Sequence, residues 1–119
     1  MKPGYTGVYR IFKATGYSMQ GLKAAWKFEA AIRQELLLLL IFIPFALLSD
    51  CSAVEKSLLI ISLALVLIVE LLNSAVEAAV DRIGPELHEL SGRAKDIGSA
   101  AVFITLIMMT SVWLIIFFA

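Results

Sequence analysis

Three stretches of this chain stay apolar for so long that only a lipid bilayer can accommodate them. They run from Leu36 to Leu48, from about Ser57 to Val80 and from about Ile97 to Phe118. A helix rises about 1.5 Å per residue and the hydrocarbon core is about 30 Å thick, so a spanning helix takes roughly 20 residues. The first run is shorter than that and spans only by taking in residues 30–35, which puts Glu29, Arg33 and Glu35 at the edge of the span. The second is interrupted by Glu70, Asn73 and Glu77, and the third carries no charge. Apolar residues make up 61% of the 119, against roughly 45–50% in a soluble domain. The sequence therefore predicts an all-α integral membrane protein in a single domain over residues 1–119, with transmembrane helices at about 30–49, 57–81 and 96–118. Ser49–Ser52 reads as a tight turn, Pro44 is expected to bend the first span, and Gly84 and Pro85 end the second. Residues 82–95 read as a polar loop.

Net charge is zero, so the signal lies in where the charges sit, and no nucleic-acid partner is expected. Lys2, Arg10, Lys13, Lys23, Lys27 and Arg33 crowd the first third against only Glu29 and Glu35. The excess of positive charge on the cytoplasmic side of membrane proteins puts this N-terminal third in the cytoplasm. The Asp50–Lys56 turn then faces outward, the 82–95 loop faces inward and the C-terminus lies outside. Residues of about 5–28 read as an amphipathic helix on the membrane surface. At 100° per residue, Val8, Ile11, Phe12, Thr15, Met19, Leu22 and Trp26 share one face, with Lys13, Lys23 and Lys27 beside it. Gly16 and Gly21 can interrupt that helix, so the spacing alone does not make it one continuous rod. Cys51 is the only cysteine, which excludes an intrachain disulfide and a thiolate zinc site. No cleavable signal pattern is expected at the start of the chain.

Glu70, Asn73, Ser74, Glu77 and Asp81 follow one another at i, i+3, i+4, i+7 and i+11, which is one face of a helix. An ionised side chain in the bilayer costs on the order of 2.5–3.5 kcal/mol, so this stripe must face protein, water or a cation rather than lipid. Three helices give one chain little interior, and a homo-oligomer with the stripe near a subunit boundary is expected. Carboxylates close to a membrane surface suit Mg²⁺, and Mg²⁺ brings phosphates. Glu29 is a candidate second ligand beside Glu77. Arg82, His88, Arg93, Lys95 and Asp96 supply charge beside the backbone of Gly92 and Gly98, a setting in which a polyphosphate can be approached. The deeper Glu70 suits general-base work on a hydroxyl arriving from the lipid phase. No P-loop and no protein-kinase set of motifs is present. A proton or cation pathway through Glu70 and Glu77 is the alternative from another class, and it leaves Lys95, Asp96 and the surface helix without a role.

The run Glu70-Leu71-Leu72-Asn73-Ser74-Ala75-Val76-Glu77-Ala78-Ala79-Val80-Asp81 resembles the signature of the small prokaryotic diacylglycerol kinases. The likeness continues without a gap from Gly84 through His88, Lys95 and Asp96 to Ala101, and precedes it in Ala24-Ala25-Trp26, Glu29-Ala30-Ala31 and Arg33-Gln34-Glu35. The resemblance implies a homotrimer of three-span subunits in the bacterial inner membrane. It implies transfer of the ATP γ-phosphoryl group to diacylglycerol, giving phosphatidic acid. By position in the motif, Glu70 resembles the catalytic base, and Glu29 and Glu77 the ligands of Mg²⁺ carried with ATP. Arg10, Tyr17, Glu86, Leu87, His88, Lys95 and Asp96 resemble nucleotide contacts, and Asn73 a supporting polar residue. Arg10, Ala14, Thr15, Gly16, Tyr17, Ser18, Met19, Lys23, Ala24, Ala25 and Trp26 resemble lipid-substrate positions. So do Ala31, Ile32, Arg33, Gln34, Glu35, Glu70, Ser99 and Trp113. Met19 and Lys23 depart from the enterobacterial form, which has an aromatic and an arginine there. A Gram-positive branch of the family phosphorylates undecaprenol, the alternative acceptor. Arg33-Gln34-Glu35 and Leu90-Ser91-Gly92-Arg93 resemble the diacylglycerol branch more. The predicted topology is checked by fusing a compartment-specific reporter to Ala119: activity is expected only from a reporter that works outside the cytoplasm, and activity from a cytoplasm-only reporter reverses the orientation.

Overall fold

The structure, a computed structural model, describes residues 6–83 and 89–119. Among them the chain forms four α-helices: α1 (Gly7–Phe28), α2 (Ala30–Leu48), α3 (Ala53–Ile83) and α4 (Glu89–Phe118). The last three are long and apolar enough to cross a membrane. α3 makes its largest contact with α4 and a smaller one with α2, while α1 touches α2.

The helices meet along seams spaced three and four residues apart. The buried residues of α2 are Ile32, Glu35, Leu39 and Ala46, and those of α3 are Leu59, Ser62, Leu63 and Val66. Half-buried Glu70, Asn73 and Glu77 continue the α3 series. On α4 the half-buried positions are Ser91, Ala94, Gly98, Val102, Thr105, Met109, Val112, Trp113 and Ile116. Such alternating steps of three and four keep one face of a helix against its neighbour in near-parallel packing. The α4 seam is small at its start and bulky at its end. At the bulky end Trp113 lies edge-on to Phe42, with ring centroids 5.4 Å apart, and also contacts Phe45 and Phe117. The Trp113 Nε1–H donates to Ser62 Oγ at 3.2 Å, and Ser62 Oγ–H donates to the Leu59 carbonyl at 2.7 Å, so both buried polar groups are satisfied. α1 and α4 bury no residue fully, and among the described residues most of the large apolar side chains are exposed. Such a surface is stable in lipid and not in water.

The helix ends fall where local chemistry sets them. α3 begins at Ala53 rather than Ser57 because Ser52 and Glu55 cap it reciprocally. The Ser52 N–H donates to Glu55 Oε1 at 2.8 Å and the Glu55 N–H donates to Ser52 Oγ at 3.1 Å. α4 begins at Glu89, seven residues before the expected start of the third span. The expected 82–95 loop is corrected accordingly: Arg82 and Ile83 close α3, and residues 89–95 are the first two turns of α4. Its residues are good helix formers, and Arg93 Nη2 pairs with Glu89 Oε1 one turn earlier at 3.5 Å. α2 runs through Pro44 and stops at Ser49, whose hydroxyl donates to the Ala46 carbonyl at 2.6 Å. α1 passes through Gly16 and Gly21 as one continuous helix. Ser52→Ala should lower the stability of the folded protein by about 1 kcal/mol, read as an earlier thermal transition in detergent, whereas Glu55→Gln, which keeps the cap, should leave the transition within error.

Candidate active site

Glu70, Asn73 and Glu77 occupy the α3 packing seam, where apolar residues stand on the preceding turns. The Asn73 Nδ2–H donates to Glu77 Oε1 at 3.4 Å, a long bond that orients more than it binds. Asn73 Oδ1 and Glu70 Oε2 are buried and have no hydrogen-bond partner among the described residues. An unsatisfied buried polar atom costs about 1–3 kcal/mol, so two on one seam mark a place kept polar for a reason other than stability. Glu35, buried on α2, lies near enough to Glu70 for the two carboxyl charges to interact. It also lines a pocket of about 270 Å³ whose walls are Leu38 and Phe42 of α2, Leu63 of α3, and Thr110 and Trp113 of α4. That pocket is apolar apart from Glu35 and Thr110, a shape suited to hydrocarbon with a polar head.

At the end of α3 next to the segment 84–88, Lys95 Nζ sits 2.7 Å from Asp81 Oδ1, and both side chains keep about half of their surface open to solvent. Lys95 also feels the charge of Glu77. An ammonium has three donors, so this pairing leaves Lys95 with donors to spare. Asp96 and Ser99 are exposed on α4; Asp96 borders a shallow surface with Gly92, Arg93 and Ala100.

Glu29 is the single residue between α1 and α2. Its backbone is extended, with φ −120° and ψ 106°, and its N–H still donates to the Ala25 carbonyl at 2.9 Å. The elbow is clamped by Arg33, whose Nη1 donates to the Trp26 carbonyl at 2.7 Å and to that of Lys27 at 3.2 Å. A guanidinium on the last carbonyls of α1 answers both their unpaired lone pairs and the negative end of the helix dipole. Glu29 faces a cavity of about 620 Å³ between α1 and α3, lined by Ser18, Ala24 and Ala25 on one side and Leu71, Ser74 and Ala78 on the other. Ser74 lines this cavity, whereas Glu77, one turn further along α3, lies on the seam and outside the cavity lining.

The prokaryotic diacylglycerol kinase family profile matches residues 16–117. The chain is 57% identical over 111 residues to the diacylglycerol kinase of Escherichia coli (strain K12), covering 93% of this chain and 91% of that protein. It is 54% identical over 110 residues to the diacylglycerol kinase of Pseudomonas aeruginosa (strain PAO1), covering 92% and 89%. With that of Haemophilus influenzae (strain Rd) it shares 53% over 108 residues, covering 91% and 92%. The chain belongs to the prokaryotic diacylglycerol kinase family. It is an enzyme of that family, and its three apolar helices make it a membrane protein.

The remaining family-like positions scatter along α1 and α2. Arg10, Ala14, Thr15, Ser18 and Met19 line an open surface on α1, where Thr15 and Ser18 donate to the carbonyls of Ile11 and Ala14 at 2.9 Å each. Gly16, Tyr17, Lys23 and Trp26 lie on the same helix. Ile32 is buried, and Ala31 and Gln34 are exposed on α2. Glu86, Leu87 and His88 lie outside the described residues. A kinase of this family calls for a divalent cation with its nucleotide. Among the described residues no three His, Cys, Asp or Glu side chains gather into a metal cage. Mg²⁺ binds through one or two carboxylates and completes its shell with water and substrate phosphates. Glu29 on the α1–α3 cavity and Glu77 on the α3 seam are hard oxygen donors of the kind that manner of holding it uses. Sequence reasoning did not pair Asp81 with Lys95 or Ser62 with Trp113, and assigned Gly98 to the approach of phosphate when it faces Asn73.

Proposed function

We propose that the chain transfers the γ-phosphoryl group of ATP to diacylglycerol, giving phosphatidic acid and ADP, as a homotrimer in the bacterial inner membrane with its N-terminus cytoplasmic. The observation that carries this reading is the buried Oε2 of half-buried Glu70, without a hydrogen-bond partner among the described residues, one turn from the Asn73–Glu77 pair on the α3 seam. A base with a free oxygen lacks only a proton donor, and a lipid hydroxyl is such a donor. Family membership and relatives named diacylglycerol kinase support this acceptor over undecaprenol.

In this mechanism Glu70 accepts the proton of the acceptor hydroxyl as its oxygen attacks the γ-phosphorus in line, and the bond to the ADP oxygen breaks. Glu29 and Glu77 hold Mg²⁺, which when bound offsets charge on the phosphate oxygens. Lys95 adds positive charge at the same phosphates, and Asp81 holds its ammonium there. Asn73 orients the Glu77 carboxylate. Arg10, Tyr17, Asp96 and the segment Glu86–His88 complete the nucleotide contacts. The apolar pocket by Glu35 and Trp113, the α1–α3 cavity and Ser99 on α4 receive the lipid. Exposed Val8, Ile11, Phe12, Met19, Leu22 and Trp26 support α1 lying on the membrane surface, with its lysines among the headgroups. An α4 that buries nothing within its own chain supports assembly with other subunits.

The test is phosphorylation of diacylglycerol and of undecaprenol by the purified protein in mixed micelles with labelled ATP. Phosphatidic acid is expected, only with Mg²⁺; ATP left intact with both lipids ends the kinase reading. Glu70→Gln should lower kcat by about 10²–10⁴-fold while ATP binding stays near that of the wild type, and near-normal turnover removes Glu70 as base. Glu77→Gln should raise the Mg²⁺ concentration for half-maximal rate by about tenfold or abolish activity, and an unchanged Mg²⁺ dependence removes Glu77 as a ligand.

A further inference from the structure

Gly7, Gly16, Gly21 and Gly92 have nothing close to where a side chain would stand, but a Cβ on Gly98 would collide with Asn73 Oδ1 and lie 3.1 Å from Asn73 Cγ. We propose that Gly98 is a positioning residue for phosphoryl transfer: its bare Cα is the wall against which the Asn73 amide is set, keeping Nδ2 aimed at the Glu77 carboxylate. This rests on the reading in which Glu77 holds the metal–nucleotide complex.

The Asn73 amide has two ends, and neither is fixed by a strong hydrogen bond. Nδ2 reaches Glu77 Oε1 at 3.4 Å, and Oδ1 is buried with no N–H or O–H partner among the described residues. What holds the plane of the amide is therefore contact, and the contact is Gly98. The direction in which a Cβ would project is that of a Gly98 Cα–H, so the orphan oxygen faces a C–H donor, a weak but oriented interaction. Turning the amide over would set Oδ1 against the Glu77 carboxylate, oxygen to oxygen, which the pair resists. Glycine in mid-helix is a poor choice for the helix itself, so its place here has to come from what lies against it. Ala94, one turn away on the same seam, is also small, and together they let the two backbones approach. Approach alone would make Gly98 a packing residue. The difference is that the group it meets is the amide that orients Glu77, and not an apolar side chain.

The two roles separate in a double-substitution cycle on the full-length protein in mixed micelles. Gly98→Ala should lower kcat about tenfold and raise the Mg²⁺ concentration for half-maximal rate about fivefold, with KM for diacylglycerol within about twofold of wild type. Binding of Mn²⁺ with a non-hydrolysable ATP analogue, followed by the paramagnetic signal of free Mn²⁺, should weaken by a similar factor. In an Asn73→Ala background, where the added methyl has room, Gly98→Ala should cost less than about twofold further in rate. Additive losses, an unchanged Mn²⁺ affinity, or a kcat that falls only with the fraction of folded protein overturns the proposal. If Gly98→Ala does not fold, the doubly substituted protein must fold as well as Asn73→Ala does, and its failure to do so is equally fatal. If Asn73→Ala and Glu77→Gln both leave Mn²⁺ binding and rate unchanged, it is the assignment of Glu77 that fails.

Discussion

Everything in this fold follows from the problem of keeping carboxylates inside a helix that crosses hydrocarbon. α3 solves it by placing Glu70, Asn73 and Glu77 on the seam it shares with α4, in register with the buried Leu59, Leu63 and Val66. The position that shields the polar groups from lipid is thus the position that would otherwise hold core leucines. Satisfaction is incomplete: one oxygen of Glu70 and one of Asn73 are left over. A seam built for stability alone would have paired them, as Ser62 and Trp113 are paired two turns away on the same helix pair.

The other half of the site depends on one joint. With a single residue between α1 and α2, the direction of α1 is set by the backbone of Glu29 and by the hold of Arg33 on the last carbonyls of α1. A residue proposed to bind metal is therefore also the hinge of α1. Arg33, which by resemblance reads as a lipid contact, has a guanidinium nitrogen already committed to that joint. The side chain proposed to contact lipid is thereby tied to the geometry of Glu29.

The spacing of Glu70, Asn73, Glu77 and Asp81 could be read from the sequence because helical periodicity is local. The three spans could be read because length and apolarity are enough to define them. What escaped lay across helices. Nothing in the chain order says that Lys95 meets Asp81 or that Gly98 meets Asn73, since that register passes through the connection at 84–88. Two boundaries were legible and misread. Ser52-Ala53-Val54-Glu55 carries the capping-box pattern that starts α3, and the Glu89–Arg93 spacing marks helix where charge density reads as loop. In both places polarity outweighed local pattern, and the local pattern was the better guide.

The bundle is fastened differently at its two ends. Where α2 turns into α3, the rings of Phe42, Phe45, Trp113 and Phe117 interlock, and no water-soluble molecule can substitute for them. At the opposite end the link between α3 and α4 is an ammonium and a carboxylate, both within reach of solvent. That joint can therefore tighten or loosen with the ions around it, while the distant aromatic rivet holds the scaffold shut.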